Sequence, residues 1–322
     1  MLRLIIMRFL RRRRGGVEEM RRLPAPFVVG ATRSGTTLLR LMLDSHPELA
    51  IPLETHFVPD LIDAAGDLPR GASAERLADV MISHRRWGDF RLDADELRER
   101  LRRLDRPDPG DAARAFYALY AEHQGKPRWG DKTPGYGKHM QKIEEVLPEA
   151  RFVHLIRDGC DVALSILNQS FGPSSVEKAA DKWKYRIETG REEARGLSHY
   201  LEVRYEDLVL DTERTLQKVC EFCELPWDPA VLTYHERAEE RLQEKARDLP
   251  PSRPGRSPRP AALRLASHAL AKEPPRADRV DRWRTEMSAA DRAAFEEVAG
   301  ELLGDLGYEV GEAAGRPPKS QS

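Results

Sequence analysis

The sequence predicts an α/β fold, a central parallel sheet flanked by helices, and three strand-then-helix units carry that prediction. The first is the apolar run PFVVG (26–30), which ends in a glycine-containing turn and leads into LLRLMLDSH, with helical spacing at Leu38, Leu39, Met42 and Leu43. The second is RFVHLIR (151–157) followed by DGCDVALSILNQS. Asp158 is placed there as a helix cap, and Val162, Leu164, Ile166 and Leu167 supply an apolar face. The third is HYLEVRY (199–205) followed by the helical stretch EDLVLDTERTLQKVCEFCEL. Strands that alternate with helices pair in parallel through right-handed crossovers, which makes the sheet α/β.

The other elements are read around that frame. Residues 60–125 are rich in Arg, Asp, Glu and Ala at helical spacing with almost no strand signal, so they predict helices inserted beside the sheet. The segment 249–262, LPPSRPGRSPRPAA, holds five prolines and is predicted to be a variable loop, either a disordered linker or a cover over the site. From Val280 to Tyr308 the pattern is helical again, and 312–322 reads as a flexible tail. The organisation expected is a basic extension (1–22), a single α/β domain (23–311) and that tail, without internal repeats.

Composition narrows the function. The 322 residues carry 53 Lys+Arg against 54 Asp+Glu, a net charge of -1, which argues against a globally basic nucleic-acid binder. The charge is unevenly spread: residues 1–22 hold a net +6, leaving -7 for the other 300. This extension reads either as a frayed basic arm or, through Leu2, Ile5, Ile6, Phe9 and Leu10 within 1–14, as a weak peripheral contact with an anionic membrane surface. Its Arg cluster lacks the interleaved aromatics that stack on bases. No run of about 18 apolar residues is present to span a bilayer. The N-terminal Arg run follows a very short apolar stretch, the wrong order for a secretory signal. Three cysteines suit a reducing compartment, so a cytoplasmic protein is expected. Cys220 and Cys223 form a C-x-x-C inside an amphipathic stretch, without a second ligand pair, and are expected to pack rather than bind metal.

The sharpest chemical signal is Gly30-Ala31-Thr32-Arg33-Ser34-Gly35-Thr36-Thr37, between a predicted strand and a predicted helix. The spacing is that of a P-loop, in which successive amides and a helix N-terminus wrap a phosphate. A nucleoside-triphosphate loop needs Lys where this chain has Thr36, and no apolar run ending in a magnesium-holding Asp is apparent after it. Arg33 restores a positive charge from another direction, while Ser34, Thr36 and Thr37 add hydroxyl donors. The loop therefore favours an anion other than the end of a triphosphate. Arg157, at a predicted strand's end, and Ser165, eight residues on in the next helix, can clasp one phosphate, but taken alone they read more readily as a local Arg157–Asp158 ion pair and an ordinary helix residue.

At these residues the chain resembles the sulfotransferases that use 3'-phosphoadenosine 5'-phosphosulfate (PAPS). The segment PFVVGATRSGTTLLRLMLDSHPELAIPLET is similar to their 5'-phosphosulfate loop, and RFVHLIRDGCDVALSIL to their 3'-phosphate motif. The order R-S-G-T-T-L, D-x-H-P-E and a Glu-Thr pair is similar to the bacterial and tyrosylprotein sulfotransferase branch. Gly130-Asp131-Lys132-Thr133-Pro134 resembles the segment that brings a lysine near the transferred group. The stretch LEVRYEDLVLDTERTLQKVCEFCELPWDPAVL continues the match and would bring Tyr205 near the nucleotide. Lys272 resembles a late cofactor-contacting lysine.

The resemblance implies sulfuryl transfer from PAPS to an acceptor hydroxyl, with no metal required. Cofactor contacts fall on Arg33, Ser34, Gly35, Thr36, Thr37, Arg157, Ser165 and Tyr205, and Lys132 assists the transfer. Glu54 resembles the family's catalytic Glu. Burial beside the acceptor is expected to raise its pKa into a useful range for a base, and His56 is the competing base. The tyrosylprotein branch carries Arg where this chain has His56, which favours a carbohydrate, lipid-linked or secondary-metabolite hydroxyl over a protein tyrosine. Two alternatives remain at this level: a P-loop nucleotide-dependent phosphotransferase, and a catalytically silent nucleotide-anion binding protein.

Overall fold

A computed structural model describes residues 23–66, 73–169, 172–251, 255 and 257–311. The expectations for the basic extension with its membrane contact, for the tail at 312–322 and for part of the proline-rich loop lie outside the described residues. In chain order the elements are β1 (Ala25–Gly30), α1 (Thr36–Ser45), β2 (Leu49–Ala50), α2 (Val58–Gly66), α3 (Ala74–Ile82), α4 (Ala94–Arg102) and α5 (Pro109–His123). There follow β3 (Arg128–Trp129), β4 (Asp131–Lys132), α6 (Met140–Val146), β5 (Ala150–Ile156), α7 (Gly159–Leu167), α8 (Val176–Ala194) and β6 (Tyr200–Arg204). The chain continues through α9 (Tyr205–Leu210), α10 (Thr212–Phe222), α11 (His235–Leu242), α12 (Ala261–Ala266), α13 (Trp283–Glu286) and α14 (Ala289–Asp305).

The central sheet has the order β4-β1-β5-β6 with every pair parallel, and β2 and β3 form a separate short parallel pair. All six residues of β1 are buried, as a strand covered on both faces requires. Side chains alternate between the two faces, so Phe27, Val29 and Phe152 pack with the inserted helices, among them Leu61, Leu77, Leu97 and Phe116. Val28, Val153, Leu155 and Val203 face the opposite way, against Leu39, Met42, Leu216 and Val219. A third cluster joins α7, α8 and α14 through Ile166, Trp183, Phe295 and Leu303.

Local chemistry sets the helix starts. Ser73, Asp93 and Asp108 cap α3, α4 and α5, and Asp108 with Asp111 makes a reciprocal capping box followed by Pro109 at the first helical position. Asp158 accepts from the amides of Cys160 (2.8 Å) and Asp161 (3.4 Å), the cap that the sequence predicts for α7. The long predicted helix after β6 is instead two, because Asp211, at φ -133° and ψ 59°, breaks it between α9 and α10. The C-terminal helix likewise divides before Ser288, which caps α14. In the proline-rich segment the backbones of Leu249 and Arg259 exchange two hydrogen bonds of 2.9 Å. Cys220 and Cys223 are free and buried in the core beside Leu216 and Val219. Among the described residues no helix is long and apolar enough to cross a membrane.

Candidate functional site

In a parallel sheet every strand ends on the same side, and ligands of open α/β sheets bind there. Gly30, Lys132, Arg157 and Tyr205 all stand at or just past such ends, of β1, β4, β5 and β6. Arg157 and Tyr205 line a cleft of about 310 Å³ whose wall also includes Arg33, Gly35, Thr36, Thr37, Glu54, His56 and Ser165, and Lys132 stands behind that wall, bonded to Glu54. The topology thus brings together residues from both phosphate motifs and from the turn that carries Glu54.

The loop after β1 is shaped by close approach. Gly30 has φ 154°, and a Cβ there would lie 2.5 Å from the Leu155 carbonyl oxygen of the neighbouring strand. Gly35 has φ 93°, and its missing Cβ leaves room for the ring of Tyr205. Arg33 takes φ 76° between them, a left-handed conformation that costs a non-glycine residue about 1–2 kcal/mol. The turn points the Arg33 side chain across to the second motif: Nε donates to the Ser165 hydroxyl (3.0 Å) and Nη1 to the Ser267 carbonyl (2.8 Å). Ser34 is fully buried and its hydroxyl has no partner among the described residues.

Arg157 is held on all sides. Its guanidinium donates to Asp161 Oδ2 (3.0 Å) and to the carbonyls of Arg279 (2.6 Å) and Arg33 (3.4 Å), and lies 4.4 Å from the centre of the Tyr205 ring. Its own carbonyl accepts from the Trp183 indole (3.1 Å). Nε is left buried without a partner among the described residues. A buried donor with no acceptor costs about 1–3 kcal/mol, so the Ser34 hydroxyl and Arg157 Nε suit a site completed by an anion.

At the far side of the cleft Glu54 receives three partners: Lys132 Nζ on Oε1 (2.9 Å), and Arg86 Nη2 (3.0 Å) and His56 Nε2 (3.2 Å) on Oε2. Lys132 is completely buried. Burial acts to raise the Glu54 pKa, but Lys132, Arg86 and His56 together outweigh it and hold the carboxyl well below its usual range. The sequence-based expectation of a raised pKa is therefore corrected, because it counted the burial and not the cations. His56 itself has φ 62°, a left-handed turn that brings its ring back towards the carboxylate two residues earlier.

The sequence reading missed part of the wall. Arg186, Arg259, Arg276, Arg279 and Arg282 join Arg33 and Arg157, so seven arginines line the cleft with only Glu54 and Glu273 as acids among the described residues. Ser267 and His268 come from the segment after the proline-rich loop. Lys272 does not join them: its ammonium pairs with Glu239 (2.9 Å), and the neighbouring Arg276 and Arg279 face the cleft instead. The available signal was the density of arginine in RADRVDRWR, which straddles the start of the helical pattern at Val280. Among the described residues no cluster of His, Cys, Asp and Glu is arranged to hold a metal ion.

A family model described as "Sulfotransferase family" matches residues 24–229. Over 225 residues the chain is 30% identical to the "Protein-tyrosine sulfotransferase" of Drosophila melanogaster, covering 67% of this chain and 41% of that protein. It is 26% identical to "Protein-tyrosine sulfotransferase A" of Caenorhabditis elegans, covering 66% and 53%. The chain thus spans about half the length of the curated relatives it matches. Among solved structures it is similar in fold to the sulfotransferase domain of the Synechococcus PCC 7002 olefin synthase, with TM-score 0.58, 24% identity and coverage of 89% and 95%. The sulfotransferase domain from the curacin biosynthetic pathway is similar too, with TM-score 0.54, 20% identity and coverage of 90% and 99%.

Proposed function

The chain belongs to the sulfotransferase family, and we propose that it moves the sulfuryl group of PAPS to an acceptor hydroxyl by in-line transfer, with Glu54 as the base. The observation that carries this reading is that the phosphate loop, the Arg157–Ser165 pair and the Glu54–Lys132 pair share one cationic corner of the sheet. The orphaned Ser34 hydroxyl and Arg157 Nε and the seven lining arginines fit a ligand with several anionic groups.

In this reading Arg33, Ser34, Gly35, Thr36 and Thr37 hold the 5'-phosphosulfate, Arg157 and Ser165 hold the 3'-phosphate, and Tyr205 flanks the nucleotide. Bound PAPS supplies an activated sulfuryl group. Lys132 and the loop amides stabilise charge that grows on the leaving phosphate oxygen, and losing one such contact costs about 10² to 10³ in rate. Glu54, ionised at neutral pH, accepts the acceptor's proton, and His56 at 3.2 Å is placed to share it. No metal ion takes part in this scheme. The acceptor is a carbohydrate, lipid-linked or secondary-metabolite hydroxyl rather than a protein tyrosine, on the strength of His56. A cytoplasmic setting is part of the proposal, supported by three free, buried cysteines.

Calorimetric titration with 3'-phosphoadenosine 5'-phosphate (PAP), the desulfated product, tests the donor site against ATP with magnesium. Binding that depends on the 3'-phosphate is expected; clear ATP binding without PAP binding would return the phosphotransferase reading. Glu54→Gln is expected to keep PAP affinity and lose turnover. Wild-type protein that binds PAP but sulfates nothing in an acceptor library would be a silent nucleotide-anion binder.

A further inference from the structure

We propose that the acceptor carries an anionic group, a carboxylate or a phosphate monoester, which seats in a basic side pocket beside Glu54 with Lys245 as its main ligand. The proposal rests on the sulfotransferase reading of the main cleft.

The side pocket has a volume of about 50 Å³ and is lined by Glu54, Arg86, Lys245, Arg259, Arg264 and His268, among others. About 10–15 Å³ of such space holds one water, so the pocket takes a small headgroup and not a chain. Glu54, Arg259, Ser267 and His268 line both this pocket and the main cleft, which makes it a branch leading past the base. The phosphate-loop residues Gly35, Thr36 and Thr37 line only the main cleft. A group in the branch therefore belongs to the acceptor side of the reaction.

Lys245 is the observation that calls for an anion. It is 5% exposed, and buried ammonium groups are ordinarily paired. Among the described residues it has no hydrogen-bond or ion-pair partner, and the carboxylates beside it are already engaged. Glu54 serves Lys132, Arg86 and His56. Glu244 serves Arg40, Tyr120 and Arg241. Arg264 is satisfied differently, by Asp89 at 2.5 Å, and so stiffens the pocket wall. Burial, with Lys132, Arg40 and Arg86 adding to it against Glu54, pushes the Lys245 ammonium well below its usual pKa. An anion beside it would restore the charge and complete the pairing that the fold withholds. Such a ligand also explains why the base is ringed by cations: Arg86 and Lys245 anchor the acceptor while Glu54 receives its hydroxyl.

The test uses PAP-saturated protein and three small hydroxyl compounds titrated by calorimetry: glycerol 3-phosphate, 3-hydroxybutyrate and neutral glycerol. Saturable binding of at least one anion is expected, with none for glycerol, and the stronger anion tells phosphate from carboxylate. Lys245→Met is expected to weaken the anion about tenfold or more while PAP affinity is retained. Its melting temperature should rise, since a buried amine without a hydrogen-bond partner is gone, and Lys245→Arg should keep anion binding. Failure of both anions to bind, equal binding of glycerol, or an equal loss of PAP affinity in Lys245→Met would each overturn the proposal. Absence of PAP binding is seen in the first titration, before any probe is added. That result sinks the sulfotransferase reading itself and this proposal with it.

Discussion

The Arg33 guanidinium donates to the Ser165 hydroxyl at 3.0 Å, across 132 residues of sequence. Two motifs that the sequence presents separately are thereby one unit, and the Arg33 carbonyl ties in Arg157 as well (3.4 Å). Residues sharing a network are not additive. Arg33→Ala and Ser165→Ala should each weaken PAP binding by about 1–3 kcal/mol. The double variant should lose less than the sum, with a coupling of about 0.5–3 kcal/mol. Calorimetry on the four proteins gives the coupling directly, and strictly additive losses would mean that the two side chains act on the nucleotide independently.

Gly35→Ala should be among the more damaging single changes in the chain. It meets two obstacles, the left-handed backbone at φ 93° and the Tyr205 ring where the new methyl would go. Overpacking of this kind costs about 1–3 kcal/mol, and the backbone adds about 1–2 kcal/mol. Adding Tyr205→Ala removes the steric part and leaves the backbone part. Thermal melts should accordingly show partial rescue by the second change; no rescue would mean that the ring gives way and that φ alone sets the cost.

Much of this site was legible because its chemistry coincides with strong local signals. Buried parallel strands read as short apolar runs, and β1, β5 and β6 lie within a residue or so of where the sequence puts them. Arg33, Ser34, Arg157 and Ser165 sit at the junctions those runs define. Two-residue strands such as β4 carry no period, so the sheet's fourth member was invisible, although it is what buries Lys132. Arg86, Arg259 and Lys245 come from elements that have no periodic tie to the sheet, and only tertiary contact brings them to Glu54. The same blindness explains the wrong sign for the Glu54 pKa, since the cations that decide it lie 32 and 78 residues away in sequence.

Glu54 owes its ionised state to those neighbours, which makes the pH profile informative. Its folded pKa is depressed, so the stability it contributes is present above the unfolded value and lost as pH falls through the folded one. The same depression means that turnover should not lose Glu54 as a base anywhere between about pH 5 and 7, above the ordinary carboxyl range. Arg86→Met removes one cation and should raise the Glu54 pKa, moving the acid limb of kcat/KM upward. An unchanged limb in that variant would assign the acid limb to another group.

Asp158 gives the opposite dependence. Burial, with Asp161 and Glu206 adding to it, pushes its carboxyl from the ordinary 3.8 up to about 7, against the pull of the amides it caps. The folded state then binds more protons than the unfolded chain between those values. The contribution is therefore complete below the unfolded pKa and is lost as pH rises towards 7. For a residue only 2% exposed the full swing is on the order of a few kcal/mol. His84 and His154, both depressed to about 4, slope the other way over part of the same range, so the wild-type curve alone is a mixture. Asp158→Asn separates the two, because Asn still accepts from the capped amides but has no charge to bury. Denaturant titrations from pH 4 to 8 should show the variant gaining on the wild type as pH rises. A constant difference across that range would mean that Asp158 stays ionised throughout and that its cap hydrogen bonds outweigh its burial.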